Sequence, residues 1–163
     1  MNRPEKLYTS LENLNIPFEY IEHPAAHTVE EGLRYLSGVD ALLCKNLFFR
    51  NHKGNRHYLV VLAFSSVLDI HALEKRLGQG KLSFASEQRM DKYLGVKPGS
   101  VTPFGLIHDT EHHVHVFLDK KLQHAARLCF HPLVNTATLV LSQTDFLRFM
   151  DSTHNVYEWV EVS

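Results

Sequence analysis

Apolar and polar positions along this chain switch repeatedly between a helical and a strand period. Leu7, Leu11 and Leu14 share one face behind Pro4, which predicts a helix over residues 4–13 that Ile16 and Pro17 end. Phe18, Tyr20 and Ile21 then read as a strand. Thr28 and Glu31 stand at capping-box spacing and open a second helix, through Leu36, that Ser37 and Gly38 stop. Residues 41–49 form an apolar strand, residues 51–55 a hairpin turn, and residues 58–64 the return strand. Asp69 caps a helix that runs to Leu77 and meets Gly78, and Ser86 caps another over residues 87–94 that meets Gly95. Short strands follow from the apolar runs at 82–85, 114–118, 127–130 and 138–141. A helix capped by Ser142 or Thr144 runs through about Met150, and residues 156–162 alternate as a last strand.

Strands outnumber helices, and hairpins mix with helical connections. This predicts an α/β (mixed α+β) fold, one compact domain over residues 1–163. There is no repeat or low-complexity stretch, and neither GxGxxG nor GxxxxGK[ST] occurs, which argues against dinucleotide or P-loop chemistry. At 44% hydrophobic and 21% charged the chain has ordinary globular composition, and its net charge of −1 excludes a globally basic nucleic-acid binder. If RNA is the partner, cations must gather locally and binding must depend on salt. Residues 1–6 show no apolar leader, and no apolar run nears the ~20 residues that cross a bilayer. A cytoplasmic location is the expectation. Cys44 and Cys129 each sit in an apolar run and are expected as two buried free thiols.

Lys45 interrupts the strand at 41–49. Either its stem lies on the core with the head in solvent, or it binds an anion or carbonyl at the mouth of a pocket. Asn46 follows it and points to the opposite face of a regular strand. The loop at 95–105, with Gly95, Pro98 and Gly99, is either a plain connection or a set of backbone N–H groups aimed at an oxyanion. His131 ends a strand beside Pro132. His113 and His115, with His108 and His112 near them, have a spacing that could hold a metal, but no cysteine joins them and no metal site is expected. His23 and His27 flank a loop at Pro24. No Gly-x-Ser-x-Gly elbow is present, and Cys44 lacks the surroundings of a catalytic thiol.

Three segments taken in order, at 44–48, 95–106 and 130–138, resemble the YbaK family, the domain also found as the editing insertion of bacterial prolyl-tRNA synthetases. The resemblance is closest to its free-standing ProX branch and covers nearly the whole chain. It implies a mixed, partly barrel-like sheet surrounded by helices. It also implies hydrolysis of the ester joining a wrong amino acid to the 3′ adenosine of a tRNA, with alanine on tRNA(Pro) as the substrate. A pocket built for proline discriminates poorly against something smaller, so a second site is needed. Carried over, the resemblance implies Lys45, Gly95, Gly99 and His131 as catalytic, and Asn46, Val96, Lys97, Pro98, Ser100 and Phe130 as substrate-binding. Arg50, Lys53, Arg56, Lys92 and Lys97 are the candidate tRNA contacts. No cofactor, membrane or DNA is implied. The expected partner is mischarged tRNA, with prolyl-tRNA synthetase a second, and a monomer is expected. A deacylase for Cys-tRNA(Pro) and a tRNA-sensing module without turnover are the alternatives.

Overall fold

The computed structural model describes residues 4–162; Met1–Arg3, part of the stretch read for a leader, and Ser163 lie outside it. The chain forms α1 (Glu5–Asn13), β1 (Glu19–Glu22), α2 (Val29–Tyr35), β2 (Leu42–Arg50), β3 (His57–Ala63), α3 (Ile70–Leu77), β4 (Ser83–Phe84) and α4 (Glu87–Leu94). A 3-10 turn (Pro103–His108), β5 (His115–Asp119), a second 3-10 turn (Lys120–His124), β6 (Arg127–Phe130), β7 (Ala137–Ser142), α5 (Gln143–Thr153) and β8 (Tyr157–Val160) complete it. Local chemistry accounts for most of these ends. The side chains of Thr28, Asp69, Ser86 and Ser142 each accept a hydrogen bond from a first-turn N–H of the helix that follows. Gly78 and Gly95 close α3 and α4 in the left-handed conformation.

One sheet organises the molecule, in the order β1-β7-β6-β2-β3-β5-β8, with β4 also on β2. It is mixed, as expected: β2–β3, β6–β7 and β1–β7 are antiparallel, while β2–β6, β3–β5 and β5–β8 are parallel. The end strands β1 and β8 each pair on one side, so the sheet is open along this path. Both faces are covered. Leu7 and Leu11 of α1, with Phe146, Phe149 and Met150 of α5, pack on one face beside Phe104 and Phe130. Leu73 of α3 packs on the other with Phe49, Val60, Leu62 and Phe117. Burial from both sides explains why β3 is an unbroken apolar run after His57 rather than an alternating strand.

α2 is the exception. None of its residues is buried, yet it lies against β2, where a Cβ on Gly32 would touch the Leu43 side chain at 3.4 Å. Among the described residues, no helix is long and apolar enough to cross a membrane.

Candidate active site

β2 and β6 run together only briefly. Leu42 pairs with Leu128 and Leu43 with Cys129, and then the strands part. β4 takes up the same edge of β2 at Phe49 and Arg50. Between these points the edge of β2 has no strand beside it among the described residues. A cavity of about 230 Å³ opens at this gap. That is smaller than the roughly 300–1,000 Å³ of pockets that hold drug-sized ligands.

The gap explains how neighbours on opposite faces reach one site. Cys44 and Phe48 pack with the α1–α5 core, while Leu47 and Phe49 pack with the α3 core, so β2 alternates regularly. Lys45 and Asn46 therefore point to opposite faces, yet both line the cavity at the opening in the sheet. The Lys45 side chain has no hydrogen bond or ion pair among the described residues, and its cation is free for a ligand. The Asn46 Oδ1 is buried and has no partner. Its backbone is also unpaired. Leu43 O accepts from Phe64 N and Asn51 N donates to Arg56 O, so odd-numbered residues of β2 bond to β3. The N–H and C=O of Asn46 then face the open edge.

The loop after α4 reaches the cavity with Gly99 and Val101. Pro98 and Gly99 are the central pair of a tight turn closed by Ser100 N–H donating to Lys97 O at 3.0 Å, with Gly99 at φ +86°. The amides of Gly99 and Val101 have no acceptor among the described residues.

Three further polar groups come from the strands under α2. His131 donates from Nδ1 to the Ala137 carbonyl at 3.0 Å, because a carbonyl can only accept. Its Nε2 in the neutral ring is then an acceptor. Burial lowers the His131 pKa, and His23 nearby lowers it further, against the opposing effect of the bond to Ala137. His23 follows β1. Its Nδ1 lies 2.8 Å from Pro24 O and its Nε2 lies 2.8 Å from Thr138 Oγ1. The His23 ring stacks on Tyr35 of α2 and sits 6.1 Å from the His131 ring.

Four of the expected residues thus come together: Lys45, Asn46, Gly99 and His131. Others do not. Gly95 is the αL cap of α4, its N–H is used by Asp91 O, and it packs on His108 rather than facing the cavity. Val96 is buried in the core. The amides of Gly95 and Val96 are thus spent on α4 and unavailable to an anion, whereas Gly99, also expected, and Val101 line the cavity. Phe130 is also in the core, stacked on Phe146 and edge-on to Phe104, so it supports the wall instead of lining it. Lys97 and Pro98 are exposed and Ser100 is buried in the turn, none of them on the cavity. Arg50, Lys53 and Arg56 lie toward the β2–β3 turn, at least ~17 Å along the strand from Lys45. Lys92 sits over the Tyr93 ring on α4. His112, His113 and His115 go to different partners. His115 pairs with Glu158, His113 bonds to His57, and His112 packs edge-on to His154. Among the described residues no three metal-ligating side chains converge. Both thiols are free as expected, Cys129 buried and Cys44 partly so, and burial raises the pKa of both. His23, Thr138 and Val101 were not singled out in the sequence as site residues; the one hint was a hydroxyl in the apolar run of β7.

A small cavity at a gap in a mixed sheet, with an unpaired lysine, open amides and a neutral histidine, is the equipment of an ester hydrolase that needs no side-chain nucleophile. The chain belongs to the family described as "Aminoacyl-tRNA editing domain", whose profile matches residues 23–149, and it is an aminoacyl-tRNA deacylase. It is 37% identical over 163 residues to the prolyl-tRNA editing protein ProX of Acetoanaerobium sticklandii, covering 99% of each chain. Prolyl-tRNA synthetase associated domain-containing protein 1 of Danio rerio is 36% identical over 153 residues, covering 93% of this chain and 83% of that one. A crystal structure of a candidate trans-editing enzyme for prolyl tRNA synthetase shares the fold, with a TM-score of 0.76 and 20% identity, covering 100% and 99% of the two chains.

Proposed function

We propose that this deacylase acts in trans on mischarged tRNA(Pro), and that alanine is the amino acid it removes. The observation that carries the reading is the cavity of about 230 Å³ walled by Ala26, Val29, Gly32 and Leu43, with an unpaired Lys45 at its side. Such walls admit a small aliphatic side chain. The similarity to ProX supports tRNA(Pro) as the carrier.

The reaction follows from the groups present. Water attacks the ester carbonyl, the carbonyl oxygen becomes an oxyanion, and the amides of Gly99 and Val101 receive it. Each such donor is worth about 3 kcal/mol in hydrolases where it has been removed. Collapse breaks the bond to the ribose oxygen, which takes up the proton that water gave up, and the free amino acid leaves. Lys45 holds an anionic or carbonyl oxygen of the substrate as a cation and fixes the ester in place. The Nε2 of His131 accepts a hydrogen bond from the bound aminoacyl end. The vicinal ribose hydroxyl of the tRNA assists the proton transfer.

The test is single-turnover deacylation of Ala-tRNA(Pro), Cys-tRNA(Pro), Pro-tRNA(Pro) and Ala-tRNA(Ala), with wild type and Lys45→Ala. Rapid loss of Ala-tRNA(Pro) alone, reduced at least a hundredfold in a folded Lys45→Ala, is the expected result. Preferential loss of Cys-tRNA(Pro) would reassign the amino acid. Near-wild-type turnover in the variant would remove Lys45 from the mechanism, and tRNA binding without hydrolysis of any ester would leave a sensing module.

A further inference from the structure

Donors and acceptors are unequally distributed in the cavity. The loop side offers N–H donors and a cation. The side under α2 offers acceptors, and the hydrogen bonds around His23 make it so. Pro24 O can only accept, so the proton of the neutral His23 ring is on Nδ1 and its Nε2 is bare. Thr138 must then donate its hydroxyl proton to that Nε2, at 2.8 Å. Thr138 is 1% exposed and its Oγ1 has no other partner among the described residues, so what it can offer the cavity is lone pairs. One residue away, Ala137 O holds the Nδ1 proton of His131 and leaves that Nε2 bare as well. Asn46, whose buried Oδ1 has no hydrogen-bond partner, lines the same cavity.

An aminoacyl ester carries one group that matches several acceptors. The ester oxygens donate nothing, and the ribose has one free hydroxyl next to the ester. The α-ammonium has three N–H donors and no acceptor, like the head of a lysine. Among the described residues no carboxylate lines the cavity, so neutral oxygen and nitrogen acceptors do this work.

We propose that Thr138 Oγ1 and His131 Nε2 form a subsite for the α-ammonium of the aminoacyl group, and that His23 is a positioning residue that holds Thr138 as an acceptor. This rests on the deacylase reading and deepens it. The ammonium end of the substrate lies under α2 and the ester carbonyl lies toward Gly99 and Val101. The amino acid is thus oriented before water attacks, and an acyl group lacking the amine loses its anchor. Tyr35, stacked on His23 at 5.7 Å between ring centres, keeps the imidazole in plane from the α2 side.

The experiment compares single-turnover hydrolysis of alanyl-tRNA(Pro) and lactyl-tRNA(Pro), in which a hydroxyl replaces the amine, each divided by its spontaneous rate. Wild type, Thr138→Val and His23→Phe are measured, with melting curves to establish that each is folded. Thr138→Val keeps the side-chain shape without the oxygen, and His23→Phe keeps a ring against Tyr35 without the acceptor. The wild type should favour the alanyl ester roughly ten- to a hundredfold, as expected for hydrogen bonds to a charged group. Both variants should lose most of that preference by slowing the alanyl reaction far more than the lactyl one, whose hydroxyl keeps one uncharged donor. Equal normalised rates for the two esters in wild type, or an equal loss on both in the folded variants, would overturn the subsite while leaving the deacylase intact. No hydrolysis of either ester by wild type would overturn the deacylase reading, and the subsite with it.

Discussion

Two of the histidine pairs among the described residues differ in how their ring nitrogens are used. His57 and His113 lie at the β3 start and before β5, with His57 Nδ1 and His113 Nε2 2.9 Å apart. Arg89 can only donate, so its contact of 2.8 Å makes His57 Nε2 an acceptor and leaves the Nδ1 proton for His113. Tyr93 stacks on His113, and Arg89 also donates to Gly54 O at 2.9 Å. Both nitrogens of His57 are spent, Nε2 on Arg89 of α4 and Nδ1 on His113 ahead of β5, so the ring ties the start of β3 to both segments. His23 and His131 form the other pair. Each spends one nitrogen on a carbonyl, and His131 turns the remaining one to a cavity. A buried histidine is thus not a site in itself; the count of unspent nitrogens separates a strut from a ligand.

The sharpest way to break that contrast is a pair of alanine variants. His131→Ala should slow single-turnover deacylation by roughly a hundredfold, the range lost with a positioned polar group, with little change in unfolding free energy. His57→Ala should cost about 3 kcal/mol of stability by leaving a cavity and stripping Arg89 of its acceptor, yet retain turnover per folded molecule. Denaturant titration beside the kinetic assay reads both. If the two variants lose stability and turnover in the same proportion, the distinction between the pairs is lost.

Acid should sharpen it next. Burial, then His113 and Arg89, pull the pKa of His57 from 6.5 down to about 4. The unfolded chain therefore takes up a proton that the native one refuses. The native state has its full stability above pH 6.5 and loses it as pH falls toward 4, by up to about 3 kcal/mol from this group. The lowered pKa values of His131 and His108 act in the same direction. Urea unfolding at pH 7 and pH 4.5 should show the loss, and His57→Phe should shrink it. An undiminished loss in that variant would put the acid sensitivity elsewhere.

The smallest effect separates the glycines at the two ends of the loop. A Cβ on Gly95 would sit 2.5 Å from His108 Cδ2, at φ +63°, whereas one on Gly99 would meet Asn135 Nδ2 at an ordinary 3.5 Å, at φ +86°. Gly95→Ala should cost stability and spare turnover. Gly99→Ala should cost about 1 kcal/mol of backbone strain and lower the deacylation rate by disturbing the turn that presents its amide. Thermal melts and rates on both variants decide whether the anion-binding end of the loop is at Gly99.

Much of this was legible in the residues themselves. Asp69 with Gly78 and Ser86 with Gly95 set the bounds of α3 and α4, because a cap is a contact between positions two to four apart. Lys45 stood out because a cation in an apolar strand needs a reason, and the order of the motifs identified the family. The 3-10 turn at Pro103–His108 leaves no apolar period to see in the sequence, because its bonds span only three residues, and it starts within the segment expected as loop.

The site was half visible for a similar reason. Which of two loop glycines faces the substrate depends on where α4 ends against His108, and which histidine keeps a free nitrogen depends on partners far along the chain. Thr138 meets His23 across 115 positions, and Asn46 is left unpaired because β6 stops following β2 after two residues. Neighbours along the chain decide where helices and turns begin and end, so those features are written locally. Register, strand divergence and the spending of each hydrogen-bond donor are settled when distant segments pack, and the chemistry of the cavity belongs to that second kind.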